Sequence, residues 1–248
     1  MILTVVIGNT NTRFVWFRGH RLVRSRAVPT AVVSHGRLPE PNRATAVAVA
    51  SVVPEATRGV RAHLGADAGL KPFVVGPRTR TGLRFRYRRQ DLGSDRACVA
   101  VGARRRYPGQ DLIVFDFGTA TTVNVILREG IFAGGAILPG IRMSLDALAA
   151  GTAGLTNLPP ARMQSPVQHN TRAAVQAGVA NLFAGGIDRI IERTEHALGR
   201  SLLVVSTGGA AGIARRYSKR LGILRPHLAS EGLAELLYLN GGKRTAGS

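Results

Sequence analysis

Two stretches of the chain, TVVIGNTNTRF at residues 4–14 and VFDFGTATTVN at residues 114–124, share one pattern. Each is an apolar run, a turn rich in glycine and threonine, and a returning run. When residues 2–17 are laid over residues 112–127 at a constant offset of 110, three positions match: Gly8 with Gly118, Thr12 with Thr122, and Val15 with Val125. This internal repeat predicts two similar halves, each opening with strand, turn and strand.

The rest of the chain alternates apolar strand runs with helical patterns. Strands are predicted near residues 2–7, 13–17, 20–26, 45–53, 73–75, 111–117, 121–127, 131–138 and 202–206. Helices are predicted from Pro54, where proline suits the first turn, and at residues 96–107, 142–150, 171–198, 210–220 and 230–239. The pattern favours two α/β domains, residues 1–110 and 111–248, that face each other across a cleft.

The composition bounds the class of protein. A chain of 248 residues that is 45% hydrophobic can bury a sizeable core. The single cysteine, Cys98, excludes a disulfide framework and a cysteine-rich zinc cluster, and the six histidines show no ligand spacing. The apolar runs are too short for a membrane span, and the first residues predict a strand and not a signal segment. We expect a cytoplasmic protein with no membrane partner.

The net charge of +20 raises the alternative of nucleic-acid binding. The arginines are spread along the chain, with local clusters at residues 84–89 and 104–106. No helix-turn-helix, aromatic series or zinc spacing accompanies them. The charge therefore favours a solvated surface first, anionic small molecules or acidic partners second, and nucleic acid last.

The two repeated turns are the first candidate binding elements. A turn of glycine, threonine and asparagine offers several backbone N–H groups together with short hydroxyl and amide side chains, which can hold a phosphate without a helix. The alternative is an ordinary polar hairpin turn. The repetition of the turn favours phosphate binding, with one turn at each end of a triphosphate.

Seven motifs carry a resemblance to a known family. They are GNTNT at residues 8–12, SVVP at 51–54, LGSDR at 92–96, DFGTATT at 116–122, GGAILPGIRMSLDAL at 134–148, NT at 170–171 and TGG at 207–209. In this order the set resembles type III pantothenate kinases over nearly the whole chain. The resemblance implies two duplicated actin-like (ribonuclease H-like) domains around a nucleotide cleft, as in the acetate and sugar kinase, Hsp70 and actin superfamily.

The resemblance also implies an activity. The γ-phosphate of ATP would pass to the primary alcohol of pantothenate, which gives 4'-phosphopantothenate in the first step of coenzyme A biosynthesis. The implied cofactors are Mg²⁺ and a monovalent cation, K⁺ or NH₄⁺. The implied assembly is a homodimer with the substrate site at its interface.

Site residues follow position by position from the same resemblance. Asp95 matches the catalytic base of the family. The chemistry fits this match, since an alcohol that attacks phosphorus needs a carboxylate to orient it and to accept its proton. The alternative role for Asp95 is a helix N-cap. Asp116 matches the monovalent-cation ligand. ATP and its phosphates would be bound by Gly8, Asn9, Thr10, Asn11, Thr12, Gly118, Thr119, Thr121, Gly208 and Gly209.

The implied pantothenate site comprises Tyr87, Gly93, Ser94, Asp95, Arg96 and Thr171. Arg96 suits a carboxylate, because a guanidinium can engage both of its oxygens. Thr171 matches a threonine that reaches pantothenate from the partner subunit. Tyr87 lies one residue closer to Gly93 than the family spacing, and the usual Asn-Pro between them is absent. The TGG glycines would let adenosine approach the backbone, with a plain glycine-rich turn as the alternative.

Two positions depart from the family pattern. Val6 stands where the family has an aspartate that holds Mg²⁺, and valine has no oxygen to offer a hard cation. Asn124 stands where a second aspartate is usual. Three readings stay open: a pantothenate kinase, a kinase for another small alcohol, and a catalytically impaired paralogue that serves as a binding or regulatory protein. Asp95, Arg96 and Thr171 favour the first reading over the second, whereas Val6 and Asn124 favour the third.

Overall fold

A computed structural model describes residues 1–35, 38–39 and 44–241, without the side chains of residues 65–68. The strands of the described residues are β1 Ile2–Ile7, β2 Asn11–Arg18, β3 Arg21–Pro29, β4 Ala46–Ser51, β5 Phe73–Val74, β6 Arg84–Phe85, β7 Leu112–Phe117, β8 Ala120–Leu127, β9 Ile131–Pro139, β10 Leu203–Thr207 and β11 Ile223–Leu224. The helices are α1 Thr30–Ser34, α2 Pro54–Ala68, α3 Ser94–Arg106, α4 Ile141–Gly151, α5 Thr171–Leu198, α6 Ala211–Ala214 and α7 Leu228–Leu239. The predicted α/β class is confirmed.

The chain forms two compact units. The first contains Met1–Gly109, Glu129–Gly134 and the described residues from His227 onward, and the second contains Gln110–Arg128 and Gly135–Pro226. The division falls beside the predicted boundary at residue 110, but α7 groups with the first unit. The assignment of residues 1–110 and 111–248 to separate domains stays a prediction.

The sheet of the first unit has the order β3-β2-β1-β4-β5. Strand β1 is antiparallel to β2 and parallel to β4. Because successive side chains of a strand point to opposite faces, the sheet buries two apolar layers. One layer joins Val5 and Trp16 to α1 and α2, and the other joins Ile2 and Ala50 to α3 and α7. These layers fix the carboxyl ends of β1 and β4 relative to the start of α3.

In the second unit, neighbouring strands follow the order β11-β10-β7-β8. Strands β11, β10 and β7 are parallel, and β8 returns antiparallel to β7. In the first unit, β6 pairs with the start of β9, with Phe85 opposite Phe132. Within the part of the chain that the structure describes, no helix combines the length and the apolar character that a membrane span requires.

The two repeated turns differ in length by one residue. Ile7 pairs with Thr12 across the first turn, whereas Phe117 pairs with Thr121 across the second. The constant offset of 110 is therefore wrong beyond the turn: Thr12 corresponds to Thr121 and not to Thr122, and Val15 corresponds to Asn124. The shift has a physical reason, since a slip of one residue would exchange the buried and exposed faces of the strand. Thr12 and Thr121 are both buried.

One predicted helix is wrong in extent. The stretch 210–220 contains only the short α6, because the chain turns after Ala214. The Arg215 guanidinium donates to the carbonyls of Leu221 and Gly222, which holds that turn. The predicted helix at residues 171–198 is confirmed as α5. Three short elements, α1, β6 and β11, have no predicted counterpart in the sequence patterns.

Candidate active site

The first candidate phosphate turn is fixed by a residue that the sequence analysis missed. Thr30, at the start of α1, donates its hydroxyl to the Gly8 carbonyl at 2.6 Å, and its backbone N–H donates to the Thr10 carbonyl at 2.9 Å. The Thr30 and Thr12 hydroxyls are 3.0 Å apart. Residues 9–11 at the tip are exposed. Thr30 therefore fixes the turn by these hydrogen bonds, and the tip of the turn is exposed to solvent.

The second candidate phosphate turn lies against the start of α4. The Gly118 N–H donates to the Ala120 carbonyl at 3.1 Å, and both Gly118 and Thr119 are exposed. A Cβ atom on Gly140 would overlap the carbonyls of these two residues, so only glycine permits this approach. Thr121 is buried, and its hydroxyl has no hydrogen-bond partner among the described residues. Its side chain therefore lies behind the turn and not at the tip.

Asp116 and the TGG motif lie together at the carboxyl ends of two neighbouring parallel strands. Asp116 of β7 pairs with Thr207 of β10. Gly208 has a φ of +92°, and a Cβ atom there would overlap the Asp116 carboxylate and lie 2.6 Å from the Phe117 carbonyl. Glycine is thus required at position 208 by its close contact with Asp116, the candidate cation ligand. An ordinary glycine-rich turn does not need such a contact.

Asp95 lies in the first turn of α3. Gly93 is the N-cap residue of this helix, and neither Ser94 nor Asp95 caps it, so the alternative N-cap role for Asp95 is wrong. The Ser94 hydroxyl instead binds the backbone of Ser51, at 2.8 Å from its nitrogen and 2.9 Å from its oxygen. One Asp95 carboxylate oxygen accepts the Arg96 N–H at 2.8 Å. The strand β4 therefore sets the position of the candidate base through Ser94.

Arg96 is enclosed by aromatic rings. It is 5% exposed, its Nη1 lies 3.4 Å from the Tyr87 hydroxyl, and its guanidinium carbon lies 5.2 Å from the centre of the Tyr87 ring and 5.6 Å from that of Phe132. Such cation–π contacts fix the plane of a guanidinium. The structure thus brings Tyr87 and Arg96 together as the resemblance implies. It adds Phe132, which lies too far along the chain for a local motif to indicate.

A cavity of about 270 Å³ opens beside Gly93 and Ser94. Arg89 lines it and donates to the carbonyls of Pro77 and Thr79 at 2.8 Å each, with its guanidinium 4.3 Å from the centre of the Phe85 ring. Burial lowers the pKa of Arg89. The other lining residues are Ser51, Val52, Val75, Gly76, Pro77, Leu92 and Ala97. Of the lining residues, only Gly93 and Ser94 were in the predicted site.

The predicted site residues divide between the two units. Residues 8–12, Tyr87 and residues 93–96 belong to the first unit. Asp116, the second turn, the TGG glycines and Thr171 belong to the second unit. Thr171 is exposed at the start of α5, where the Asn170 side chain accepts the Ala173 N–H at 2.9 Å. Asn170 is thus the N-cap of α5, and it holds the helix start that presents Thr171.

The residues present do not fit a protein-held magnesium site. Val6 is half-buried at the position that corresponds to Asp116, and its cross-strand neighbours are Arg13 and Ala50. Asn124 is fully buried, with its amide 3.2 Å from the Thr122 hydroxyl. Among the described residues, no group of three or more histidine, cysteine, aspartate and glutamate side chains could hold a metal ion. Mg²⁺ prefers several oxygen ligands, which this constellation lacks.

Known proteins resemble the chain along nearly its full length. The family model described as type III pantothenate kinase matches residues 2–193. A type III pantothenate kinase from Rubrobacter xylanophilus is 37% identical over 265 residues, which cover 97% of this chain and 98% of the relative.

Two solved structures share the fold at low sequence identity. A Baf family protein from Campylobacter jejuni has a TM-score of 0.61 at 20% identity and covers 96% of this chain and 98% of its own. The activator of 2-hydroxyisocaproyl-CoA dehydratase from Clostridium difficile, with bound ADPNP, has a TM-score of 0.51 at 13% identity and covers 100% and 99%. These likenesses confirm the actin-like α/β fold.

The match to the family model and the identity to the Rubrobacter xylanophilus relative show the family of the chain. The chain belongs to the type III pantothenate kinases, which phosphorylate pantothenate in coenzyme A biosynthesis.

Proposed function

We propose that this chain is a competent pantothenate kinase in which Asp95 is the catalytic base. The observation that carries the proposal is the fixed position of Asp95: it follows the N-cap Gly93, and its neighbour Ser94 is bound to the end of β4. A Cβ atom on Gly93 would overlap the Asp95 carboxylate, so only glycine at position 93 leaves room for that carboxylate. A catalytic group held in this way needs little reorganisation before reaction.

The reaction uses these groups in a simple order. The substrate carboxylate binds the guanidinium of Arg96, which lies over the rings of Tyr87 and Phe132. Asp95 orients the primary alcohol and accepts its proton as the alcohol oxygen bonds to the γ-phosphorus. The bond from that phosphorus to the β–γ bridging oxygen breaks, and ADP leaves with its electron pair. The N–H groups of the two glycine-containing turns bind the phosphate oxygens.

Asp116 is the proposed ligand of K⁺ or NH₄⁺. Its carboxylate lies at the end of β7, next to Gly208. A monovalent cation there would lower the negative potential close to the second phosphate turn. ATP would bring its Mg²⁺ as a phosphate complex. Because the proposed reaction consumes ATP, the proposed location of the protein is the cytoplasm.

The proposed assembly is a homodimer, and the surface of the second unit supports it. On α5, Leu182 is 67% exposed, and Gly178 and Gly185 lie beside it at helical spacing with open space around them. Ile137, Met143, Leu148 and Val167 of the same unit are also exposed. Burial of these side chains against a second copy of the chain would be favourable, because it removes apolar surface from water. Thr171, on the same helix, would then reach the partner's substrate.

The test is ADP release by the purified protein with Mg-ATP, K⁺ and pantothenate, with pantothenate omitted as the control. Release that requires pantothenate supports the proposal. ATP binding without such release would instead support the second candidate, a nucleotide-binding regulatory protein, for which Val6 is the specific observation. Release that requires a different small alcohol would identify a kinase of changed specificity.

A further inference from the structure

The two corresponding hairpins carry opposite charges beside their turns. In the first, Val6 of β1 lies opposite Arg13 of β2. In the second, Asp116 of β7 lies opposite Thr122 of β8. Directly opposite side chains of antiparallel strands lie on the same face of the sheet and within contact distance. The first hairpin therefore has a cation, Arg13, beside its turn, whereas the second hairpin has a carboxylate, Asp116.

The side chain of Arg13 has no hydrogen bond or ion pair with any residue that the structure describes, although the residue is half-buried. Val15 and Phe17, on the same face of β2, pack against Ala234 of α7. Arg13 therefore faces the α7 side of the sheet. A guanidinium that is partly withdrawn from water normally acquires an anionic or carbonyl partner. The missing partner is consistent with a site for a bound anion.

A second unsatisfied group lies near Arg13. His227 immediately precedes α7, and its buried Nδ1 has no hydrogen-bond partner among the described residues. Burial lowers the pKa of His227, the nearby positive charge of Arg13 lowers it further, and Glu231 opposes both effects. Arg13 and His227 thus lie close enough to interact, and the amino terminus of the 12-residue α7 adds its own positive potential. Arg13 and the helix terminus favour an anion, against the opposing charge of Glu231. A lowered pKa leaves His227 uncharged at neutral pH, so His227 can add a hydrogen bond to the anion but no positive charge.

We propose that Arg13 binds the phosphates of the nucleotide directly and supplies, at the first turn, the positive charge that no protein-held metal provides there. The proposal rests on the proposed function for the presence of ATP. Arg13 follows Thr12 immediately, so it lies at the base of the turn that Thr30 fixes. A guanidinium can donate two hydrogen bonds to adjacent phosphate oxygens, and Val6 offers no carboxylate to compete for them.

The test measures binding of metal-free ATP by calorimetry in the presence of EDTA, without pantothenate. The natural protein should bind, and Arg13→Gln should weaken binding by about tenfold or more, the usual effect of losing a charge-assisted hydrogen bond. Arg13→Lys should restore part of the affinity. Arg26→Gln removes the same charge from an exposed position on β3 and should bind like the natural protein.

Two results would overturn the proposal: no binding of metal-free ATP by the natural protein, or equal affinity in the folded Arg13→Gln protein, with folding checked by thermal melting. Because this readout needs neither pantothenate nor turnover, it separates the two proposals. A protein that binds metal-free ATP through Arg13 but releases no ADP with pantothenate would contradict only the proposed function.

Discussion

Gly208 packs directly against Asp116, so closely that a Cβ atom on Gly208 would overlap the carboxylate. The two residues come from neighbouring parallel strands that end at the same edge of the second sheet. The contact ties the nucleotide-binding prediction for TGG to the cation-binding prediction for Asp116. A change at one residue must therefore disturb the other.

Gly208→Ala should impair both stability and ATP use. The φ of +92° disfavours any side chain, which costs about 1–2 kcal/mol, and the new methyl group displaces the Asp116 carboxylate. We expect a lower melting temperature and a KM for ATP raised by about tenfold or more. Gly212→Ala, at a position with open space around it, is the matched control. Equal effects of the two substitutions would refute a specific role for the Gly208 contact.

Asp95→Asn should remove turnover and leave the fold intact. The amide keeps the shape of the side chain but cannot accept the proton of the alcohol, so kcat should fall by about 10²- to 10⁴-fold. Pantothenate and ATP binding should stay within a few-fold of normal by calorimetry. Asp146→Asn, which alters an exposed carboxylate paired with Arg142, should keep full turnover. Unchanged turnover in the Asp95 variant would exclude it as the base.

Arg96→Lys should raise the KM for pantothenate more than it lowers kcat. Lysine keeps the charge but loses both the paired donors and the stacking on Tyr87 and Phe132. Steady-state kinetics at varied pantothenate would show the effect, on the order of tenfold in KM. Arg88→Lys, at an exposed arginine of the same segment, should behave like the natural protein. An unaltered KM would place the substrate carboxylate elsewhere.

The ionised Asp111 carboxylate should stabilise the fold at neutral pH, and this stabilisation should be lost in acid. Burial opposes ionisation of this carboxyl, but hydrogen bonds and charges from Arg128 and Arg200 outweigh burial and lower its pKa. A lowered pKa stabilises the fold above the unfolded-state value of about 3.9 and loses that effect as the pH falls through the folded-state pKa.

Asp111→Asn should therefore reduce the free energy of unfolding by about 1–2 kcal/mol at pH 7, because the buried side chain loses its charge-assisted hydrogen bonds while the two partly exposed arginines stay in contact with water. The difference from the natural protein should shrink below about pH 4 in urea titrations. Glu192→Gln, at an exposed pair with Arg189, should change stability by less than about 0.5 kcal/mol. A pH-independent difference would show that packing, and not charge, accounts for the effect.

Val6→Asp separates two accounts of the first turn. If Arg13 supplies the positive charge, the new carboxylate lies opposite it, forms an ion pair and raises the KM for ATP. We expect this result, with Val6→Ala as the neutral control. Higher turnover in the aspartate variant would instead show that metal coordination limits the natural protein.

Local patterns were sufficient to predict much of the fold. The apolar runs around GNTNT and GTATT indicated the two hairpins, and the helical period over residues 171–198 indicated α5. The correspondence of Thr12 with Thr122 was wrong, because one residue missing from the second turn is invisible when the two copies are compared at a constant offset. Pairing register is set by which side chains are buried, and that is known only from the packed sheet.

The rest of the site depends on contacts between distant parts of the chain. Phe132 reaches Arg96 from β9, and Thr30 reaches Gly8 from α1. The grouping of α7 with the first unit follows from its packing on α3, where Gly232 meets the Cys98 carbonyl. No spacing rule along the sequence indicates such pairs, since each depends on tertiary packing.

The most direct test of the account is ADP release by the natural protein with Mg-ATP and K⁺, measured with and without pantothenate. We expect release that depends on pantothenate despite Val6, with Asp95 as base and Arg13 at the phosphates. Equal release with and without pantothenate, or none in either case from a folded protein that binds ATP, would contradict it.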